Sequence, residues 1–474
     1  MQKVLPPLLL TRSSSRWSNF DSVYSRSILF GILTISLVVA VASSYLLVHV
    51  SPLIAIASVV ALPALLLCFV KPELGLMLVI LVLPLEELNN GSVSAIKLIS
   101  VVVFGCAVLS YLISRPVKPL VHSTQNGLIF LFVLIAITSA FVAIDPTRVI
   151  DRTLKLLRVL ALYFFVINLI RSEKYLHLAL WLFLIGGFLC TLYGFIEPVE
   201  VGERFEGALG QPNGYGLTMT PRIPIGLTLF LIEKKTWKRL LIILMLAFIS
   251  YGIILSGSRG GLLAVSLALF LFVLFQRNKF TWLAVIGIIF TIGFFVMPKE
   301  IKARVGIIDE PSEIGNSTDR RLTYQIFGVD LFQQNPILGV GLDGFAESYA
   351  QSEYRFLIQT RELRVAHNTY LEIATGTGIV GLIPFIGILT IALFLAWKYS
   401  QSIYLKISPK LAMMSAGLFA ALGGYYLGML FGSRQYEKTF WFLLALPIVI
   451  QVLIHAKEKQ AFAIEQNPKL LQNH

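Results

Sequence analysis

Gly376-Thr377-Gly378-Ile379-Val380-Gly381-Leu382-Ile383-Pro384-Phe385-Ile386-Gly387-Ile388-Leu389-Thr390-Ile391-Ala392-Leu393-Phe394-Leu395-Ala396-Trp397 contains no charged residue. A helix rising about 1.5 Å per residue crosses a hydrocarbon core of about 30 Å in roughly 20 such residues. The run therefore reads as a transmembrane helix. Just before it stands His367-Asn368-Thr369-Tyr370-Leu371-Glu372, which closes the polar segment 298–366. A histidine held where a water-exposed loop meets the bilayer is poised to move protons, because its unperturbed pKa lies near neutrality. A structural reading stands beside that one: a His-Asn pair ahead of a helix also serves as a cap or an interfacial contact.

Working outward, apolar runs recur from end to end, at 27–48, 51–70, 73–86, 97–114, 126–143, 153–170, 175–195, 216–232, 240–255, 260–276, 281–297, 376–397, 411–431 and 439–455. The chain is 56% hydrophobic and 14% charged, against about 25% charged in soluble domains, and its mean hydropathy is +0.79. The weak alternation of an outer-membrane barrel is absent. The expected fold is all-α, a polytopic membrane protein of about 12–14 transmembrane helices with one long external loop. The 73–86 run is short and reads as re-entrant or barely spanning. The 153–170 run opens with Lys155 and Arg158, which leaves its outer end undefined.

The net charge of +13 falls in short loops between apolar runs, which argues for membrane lipids and against nucleic acid as the partner. Basic residues cluster at Lys3 to Arg26, Lys71, Arg115 and Lys118, Arg171 and Lys174, Lys234 to Arg239, Arg277 and Lys279, Lys398 to Lys410, and Lys457 to Lys469. That asymmetry puts both termini in the cytoplasm. The resulting division is a tail at 1–26, helices over 27–297, the external loop 298–366, helices over 367–455 and a second tail at 456–474. The N-terminal apolar stretch is too long for a signal peptide and reads as an anchor. Cys68, Cys106 and Cys190 all lie in apolar runs and give neither a disulfide framework nor metal spacing. Glu86 and Glu87 are adjacent carboxylates, more simply read as solvated loop charge than as metal ligands. No nucleotide loop, zinc motif or serine-hydrolase elbow is present, so no metal or cofactor is expected.

This orientation leaves arginines on the outer side, where positive charge is scarce. Arg204 sits in Glu203-Arg204-Phe205-Glu206-Gly207, Arg222 between Pro221 and Pro224, Arg259 in Ser256-Gly257-Ser258-Arg259-Gly260-Gly261, and Arg320-Arg321 opens an amphipathic stretch. An arginine at mid-bilayer costs about 2.5–3.5 kcal/mol, and binding phosphate through its planar fork offsets that cost. Snorkelling to ordinary phospholipid is the bland reading of each. For Arg259 the anion site is the better one: Ser258, Gly260 and Gly261 break the chain and expose amides where the positive end of the next helix begins. Arg222 reads equally as a cavity marker or as a kink with a snorkelling side chain. Leu322, Ile326, Val329 and Phe332 share one face of the 321–334 stretch, as in a helix lying on the bilayer.

Ser258-Arg259-Gly260-Gly261, then Arg321 with Pro336-Ile337-Leu338-Gly339-Val340-Gly341, then His367-Asn368-Thr369-Tyr370-Leu371, resemble the signature of the O-antigen ligase and O-antigen polymerase superfamily. Arg204, Gly207 and Pro212-Asn213 resemble its motif ahead of a span. The resemblance covers about residues 200–385. It implies a type-C-like glycosyltransferase of the bacterial inner membrane, working on the periplasmic face with a glycan on undecaprenyl diphosphate as donor. The ligase branch would transfer that glycan to lipid A–core of lipopolysaccharide. The polymerase branch would join lipid-linked repeat units of an O-antigen or exopolysaccharide. By the same resemblance Arg259 and Arg321 hold the diphosphate, with Arg204 as a further candidate; Arg222, like Arg320, lies outside the matched pattern and is a diphosphate-binding candidate on its own position alone. His367 serves the acceptor hydroxyl, Ser258, Gly260 and Asn368 support the site, and no metal is required. A different class stays open, a transporter or transport accessory of the inorganic-carbon-uptake kind, since the Ser-Arg-Gly-Gly block occurs there too.

Overall fold

In a computed structural model of the chain, the described residues are 68–88, 95–113, 119–197, 204–306, 315–358 and 364–466. They contain helices and loops and no strand. The expected span at 27–48, most of that at 51–70, Glu203, and the side chains of Glu86, Glu87 and Arg320 lie outside the described set. Two compact units form, one from 1–75 with 101–118, the other from 76–100 with 119–474. The second carries everything that follows.

The helices are α1 (Pro72–Val82), α2 (Ala95–Ile113), α3 (Thr124–Thr138), α4 (Pro146–Leu169), α5 (Glu173–Ile196), α6 (Pro212–Met219), α7 (Arg222–Ile232), α8 (Thr236–Leu255) and α9 (Arg259–Leu274). Then come α10 (Lys279–Val296), α11 (Lys299–Val305), α12 (Gly315–Gln334), α13 (Phe345–Gln351), α14 (Tyr354–Ile358), α15 (Thr369–Tyr399), α16 (Ser402–Ile407), α17 (Pro409–Gly428) and α18 (Lys438–Gln466). Among the described residues, 7 helices are long and apolar enough to cross a membrane, and three shorter apolar ones accompany them. The protein is thus a polytopic helical membrane protein. Helix α18 is its centre, with 78% of its apolar window buried, and α10, with 0%, is peripheral.

Loops meet at two ends of this bundle. At one end Arg204 Nε donates to the Ser256 carbonyl at 2.7 Å, and Thr369 N donates to the Met429 carbonyl at 2.9 Å. At the other, Arg171 Nη2 donates to the Pro119 carbonyl at 2.9 Å, Lys457 Nζ pairs with Glu173 Oε2 at 2.5 Å, and Lys238 Nζ pairs with Glu233 at 3.3 Å.

Two breaks shape the first end. The run 216–232, expected as one span, is divided between α6 and α7 at Thr220-Pro221, since Pro221 cannot donate a helical hydrogen bond. Arg222 does not snorkel from this break: it is 0% exposed. Its Nε donates to the Phe183 carbonyl at 3.1 Å and Nη1 donates to the Thr218 carbonyl. Its guanidinium lies 4.0 Å from the centre of the Phe183 ring. The arginine therefore fills the space beside Gly187, where a Cβ would come within 2.1 Å of its Cδ.

The second break is in α15, at Gly378 (φ 63, ψ −167). Carbonyls and amides freed there are taken by the Pro336–Val340 stretch. Val340 N donates to Thr375 O at 2.9 Å, Ile379 N to Pro336 O at 2.8 Å and Val380 N to Ile337 O at 3.4 Å. This is what the Pro-Ile-Leu-Gly-Val-Gly block does. A Cβ on Gly339 would sit 2.4 Å from Thr375 O, and one on Gly378 would sit 2.0 Å from Ile337 O. Both glycines also have positive φ. Gly378→Ala should therefore destabilise the fold by about 2–4 kcal/mol, combining the left-handed penalty with displacement of a backbone segment. Thermal unfolding in detergent, compared with Gly387→Ala as a helix-face control, reads it; equal midpoints would remove the inserted loop from the account.

Between the breaks, the segment after α11 builds a small core of its own from Tyr324, Phe327, Leu331, Val340, Phe345, Tyr349 and Ala366. The buried face of α12 is thus Tyr324, Phe327 and Leu331. The stripe singled out in sequence is the other one: Leu322, Ile326 and Val329 are 60%, 52% and 50% exposed, as suits a helix against lipid.

Candidate active site

At the first end, Ser258 starts α9 as its cap, its Oγ accepting from Gly261 N at 3.2 Å. The glycines here serve close packing. A Cβ on Gly260 would lie 2.6 Å from Phe431 Cβ, and one on Gly261 would lie 3.0 Å from the Gly216 backbone. With Ser258 2% exposed and the Gly261 amide taken by the cap, the expected ring of free amides is replaced by a tight junction. What this junction displays is Arg259, whose Nε and Nη2 both donate to the Arg304 carbonyl, at 3.0 and 2.7 Å. Arg204 is fixed by Ser256 and by Asn213, whose Oδ1 accepts from Nη2 at 2.9 Å.

These arginines feel one another. Burial, then the charges of Arg304 and Arg321, hold the Arg204 guanidinium down at about 10. Burial, then Arg304 and Arg259, lower Arg321. Burial and Arg259 lower Arg304. All remain cationic at neutral pH. Among the described residues no carboxylate forms an ion pair with Arg204, Arg304 or Arg321. Like charges gathered in this way would favour an anion among them.

His367 adjoins this cluster. Its φ is 52, a left-handed backbone that non-glycine residues adopt at a cost of order 1–3 kcal/mol. Its ring lies 6.3 Å from that of Tyr324. Burial first, then the charges of Arg321, Arg434 and Arg364, push its pKa from 6.5 down to about 4. The imidazole is therefore neutral at pH 7, with a lone pair to accept a proton. Asn368 is the cap of α15, its Oδ1 accepting from Tyr370 N at 3.1 Å and Leu371 N at 3.2 Å. Its amide donates to Gln325 Oε1 at 3.0 Å, and Gln325 Nε2 donates to the Ala366 carbonyl at 3.0 Å. The structural reading of the His-Asn pair thus fits Asn368, and the chemical one is left to His367.

A buried carboxylate holds this loop in place. Glu372 is 4% exposed, and its oxygens accept from Ala366 N at 3.0 Å, Ser433 Oγ at 2.5 Å and Gln435 Nε2 at 2.5 Å. Glu372→Ala would strand three donors at once. It should cost about 3–5 kcal/mol, seen as a lowered unfolding midpoint together with activity lost in proportion to the folded fraction. An unchanged midpoint would show that the clamp is not needed.

Of the residues expected from sequence, the fold brings Arg204, Arg259, Arg321 and His367 to one end. It sets Arg222 apart, sealed among carbonyls, where its surroundings are Cys190, Tyr215 and Tyr425 rather than the other arginines. Arg304 and Arg434 were missed. Arg434 is 7% exposed, its Nη1 pairs with Glu437 at 3.2 Å, and its buried Nε has no hydrogen-bond partner among the described residues. The rule that found the others, arginine in a segment assigned to the outside, applies equally to Arg304 in 298–366; Arg434 lies in the short connection between α17 and α18, which the same charge asymmetry puts on that side.

The fold and this cluster of arginines define a class: a multi-pass helical membrane protein with a candidate anion site and a neutral histidine at one end of its bundle. Residues 242–386 match the family described as O-Antigen ligase, so this segment of the chain is similar to that family. Arg259, Arg304, Arg321 and His367 fall inside the matched segment; Arg204 and Arg434 flank it. No curated protein matches the chain.

Proposed function

We propose that the protein transfers a glycan from undecaprenyl diphosphate to an acceptor hydroxyl, with inversion, at the periplasmic face of the bacterial inner membrane. The observation carrying this reading is the group Arg204, Arg259, Arg304 and Arg321 beside a neutral His367. The diphosphate lies among the arginines. As the bond from the anomeric carbon to the phosphate oxygen breaks, negative charge grows on the leaving group, and the neighbouring guanidiniums stabilise it. The acceptor oxygen attacks from the opposite face and forms the new glycosidic bond. Its proton passes to the imidazole of His367. Transfer to lipid A–core is the ligase form of the reaction, and transfer to another lipid-linked repeat is the polymerase form.

The test is reconstitution of the purified protein with an undecaprenyl-diphosphate-linked oligosaccharide and a lipid-linked glycan acceptor. Expected are release of undecaprenyl diphosphate and a product of opposite anomeric configuration. Retention of configuration would overturn the mechanism. The orientation has its own check: reporter fusions at Asn316 and Lys406 should lie on opposite sides of the membrane, and placement on the same side would remove the periplasmic assignment.

A pH dependence follows. With His367 near 4 in the free protein, the acid limb of kcat/KM for the donor should fall near pH 4, activity being lost as His367 is protonated. A bound diphosphate offsets the Arg321 charge, so at saturating donor the limb for the acceptor should move up, but only part of the way to the ordinary histidine value, because burial, the larger cause, stays. Coincident limbs would detach His367 from the donor site.

A further inference from the structure

Helix α4 carries charge that the arginine cluster does not use. Its outer stripe, Ile150, Leu154 and Leu157, is 55%, 51% and 42% exposed and apolar, as a lipid-facing helix requires. The neighbouring face bears Arg148, Arg152, Lys155 and Arg158, a ladder running about 15 Å along the axis. At the N-terminal end the ladder is answered: Arg148 pairs with Asp343 and Glu347, each at 3.1 Å, and Arg152 pairs with Asp343 at 2.7 Å. Further along it is not. Lys155 Nζ lies 5.5 Å from the centre of the Tyr436 ring, and Arg158 Nε donates to the Leu154 carbonyl at 3.3 Å. Neither has an ion pair among the described residues.

This face borders a cavity of about 820 Å³ that also touches Glu347 and Val365. Of its carboxylates, Asp145 and Glu347 belong to the end where Arg148 sits and Asp151 stands one turn before Lys155; none of them forms an ion pair with Lys155 or Arg158 among the described residues, and beyond Lys155 the lining carries no carboxylate on α4. Val365 is two residues from His367. Tyr436, which Arg152 and Lys155 approach, adjoins Gln435, a donor to Glu372. The cavity therefore runs from a cationic stretch of α4 to the histidine loop, over elements that supply none of the four clustered arginines.

We propose that Lys155 and Arg158 bind an anionic group, phosphate or carboxylate, on a membrane-anchored acceptor glycolipid. The anchor stays in the bilayer beside Leu154 and Leu157 while the sugar reaches His367. Its role as acceptor rests on glycan transfer at His367; its binding does not, so binding is what the experiment reads. The full-length protein, in phosphatidylcholine nanodiscs, is titrated with a dialkylglycerol-linked disaccharide carrying one phosphate monoester, and with the same glycolipid lacking phosphate. Wild type should prefer the phosphorylated form about tenfold, the scale of one well-formed charge-assisted contact. Lys155→Gln/Arg158→Gln should erase that preference and leave the affinity for the neutral glycolipid unchanged, which doubles as the folding control. Lys155→Arg/Arg158→Lys and His367→Ala should keep it. No preference in wild type, or preference surviving in the double Gln variant, would overturn the site. Inorganic phosphate competing as well as the phosphoglycolipid would overturn the lipid-anchored source. Loss of preference in a protein that transfers no glycan would leave the cavity standing and strike only the reaction.

Discussion

His367→Ala is expected to lower glycan transfer by about 10²–10⁴-fold, the usual worth of a positioned acid or base, while undecaprenyl diphosphate still binds. The proposed site separates these roles: the arginines would hold the anion, and the histidine beside them is neutral. Two further substitutions sharpen the test. His367→Gln retains hydrogen bonding but cannot take a proton at neutral pH, so its inactivity supports a base and its activity leaves His367 as an orienting group. His367→Asn tolerates the left-handed backbone and excludes collapse of the loop as the cause. Loss of lipid-diphosphate binding in His367→Ala, with turnover preserved at saturating donor, would reverse the assignment.

Arg321→Ala should reduce kcat by about 10²–10³-fold, as removal of one preorganised donor to a developing anion does. Binding of the donor should weaken in parallel, since this guanidinium has no competing ion pair among the described residues. Arg259→Lys tests shape rather than charge. Both Nε and Nη2 of Arg259 grip the Arg304 carbonyl, a fork that an ammonium cannot reproduce, so lysine should disturb Arg304 as well and cost nearly as much as alanine. Arg222→Lys, by contrast, should act on folding, because that side chain answers helix carbonyls instead of substrate. Full activity of Arg259→Ala would dissolve the shared diphosphate site.

The sequence announces the spans because absence of charge is a local property, and it announces Asn368 and Ser258 because capping is local too. The gathering of Arg204, Arg259 and Arg321 had a different signal: each stands in a loop or at a helix start on the side that the charge asymmetry assigns to the outside, where basic residues are disfavoured. What escaped depended on neighbours distant in the chain. Arg222 resembles a snorkelling residue until Phe183 and Gly187 are packed against it. On α12, Leu322-Ile326-Val329 and Tyr324-Phe327-Leu331 have equal helical spacing, and only the partners Phe345 and Tyr349 decide which face turns inward. Glu372 looked like part of a helix start; its role as a clamp requires Ser433 and Gln435, which arrive from the far side of another span.

The seam between Pro336–Val340 and the interrupted α15 bears on how the chain is made. Gly378 stands about 14 Å along its helix, where hydrocarbon offers no partner for a loose amide or carbonyl. The matching strip precedes this helix in the chain, so in the proposed orientation it has crossed the membrane before the helix is laid into lipid. Biosynthesis thus supplies the plug first and the gap second. The late docking step it implies is a natural point for quality control: a chain stalled before it would expose unpaired backbone inside the bilayer, a defect a membrane protease can recognise.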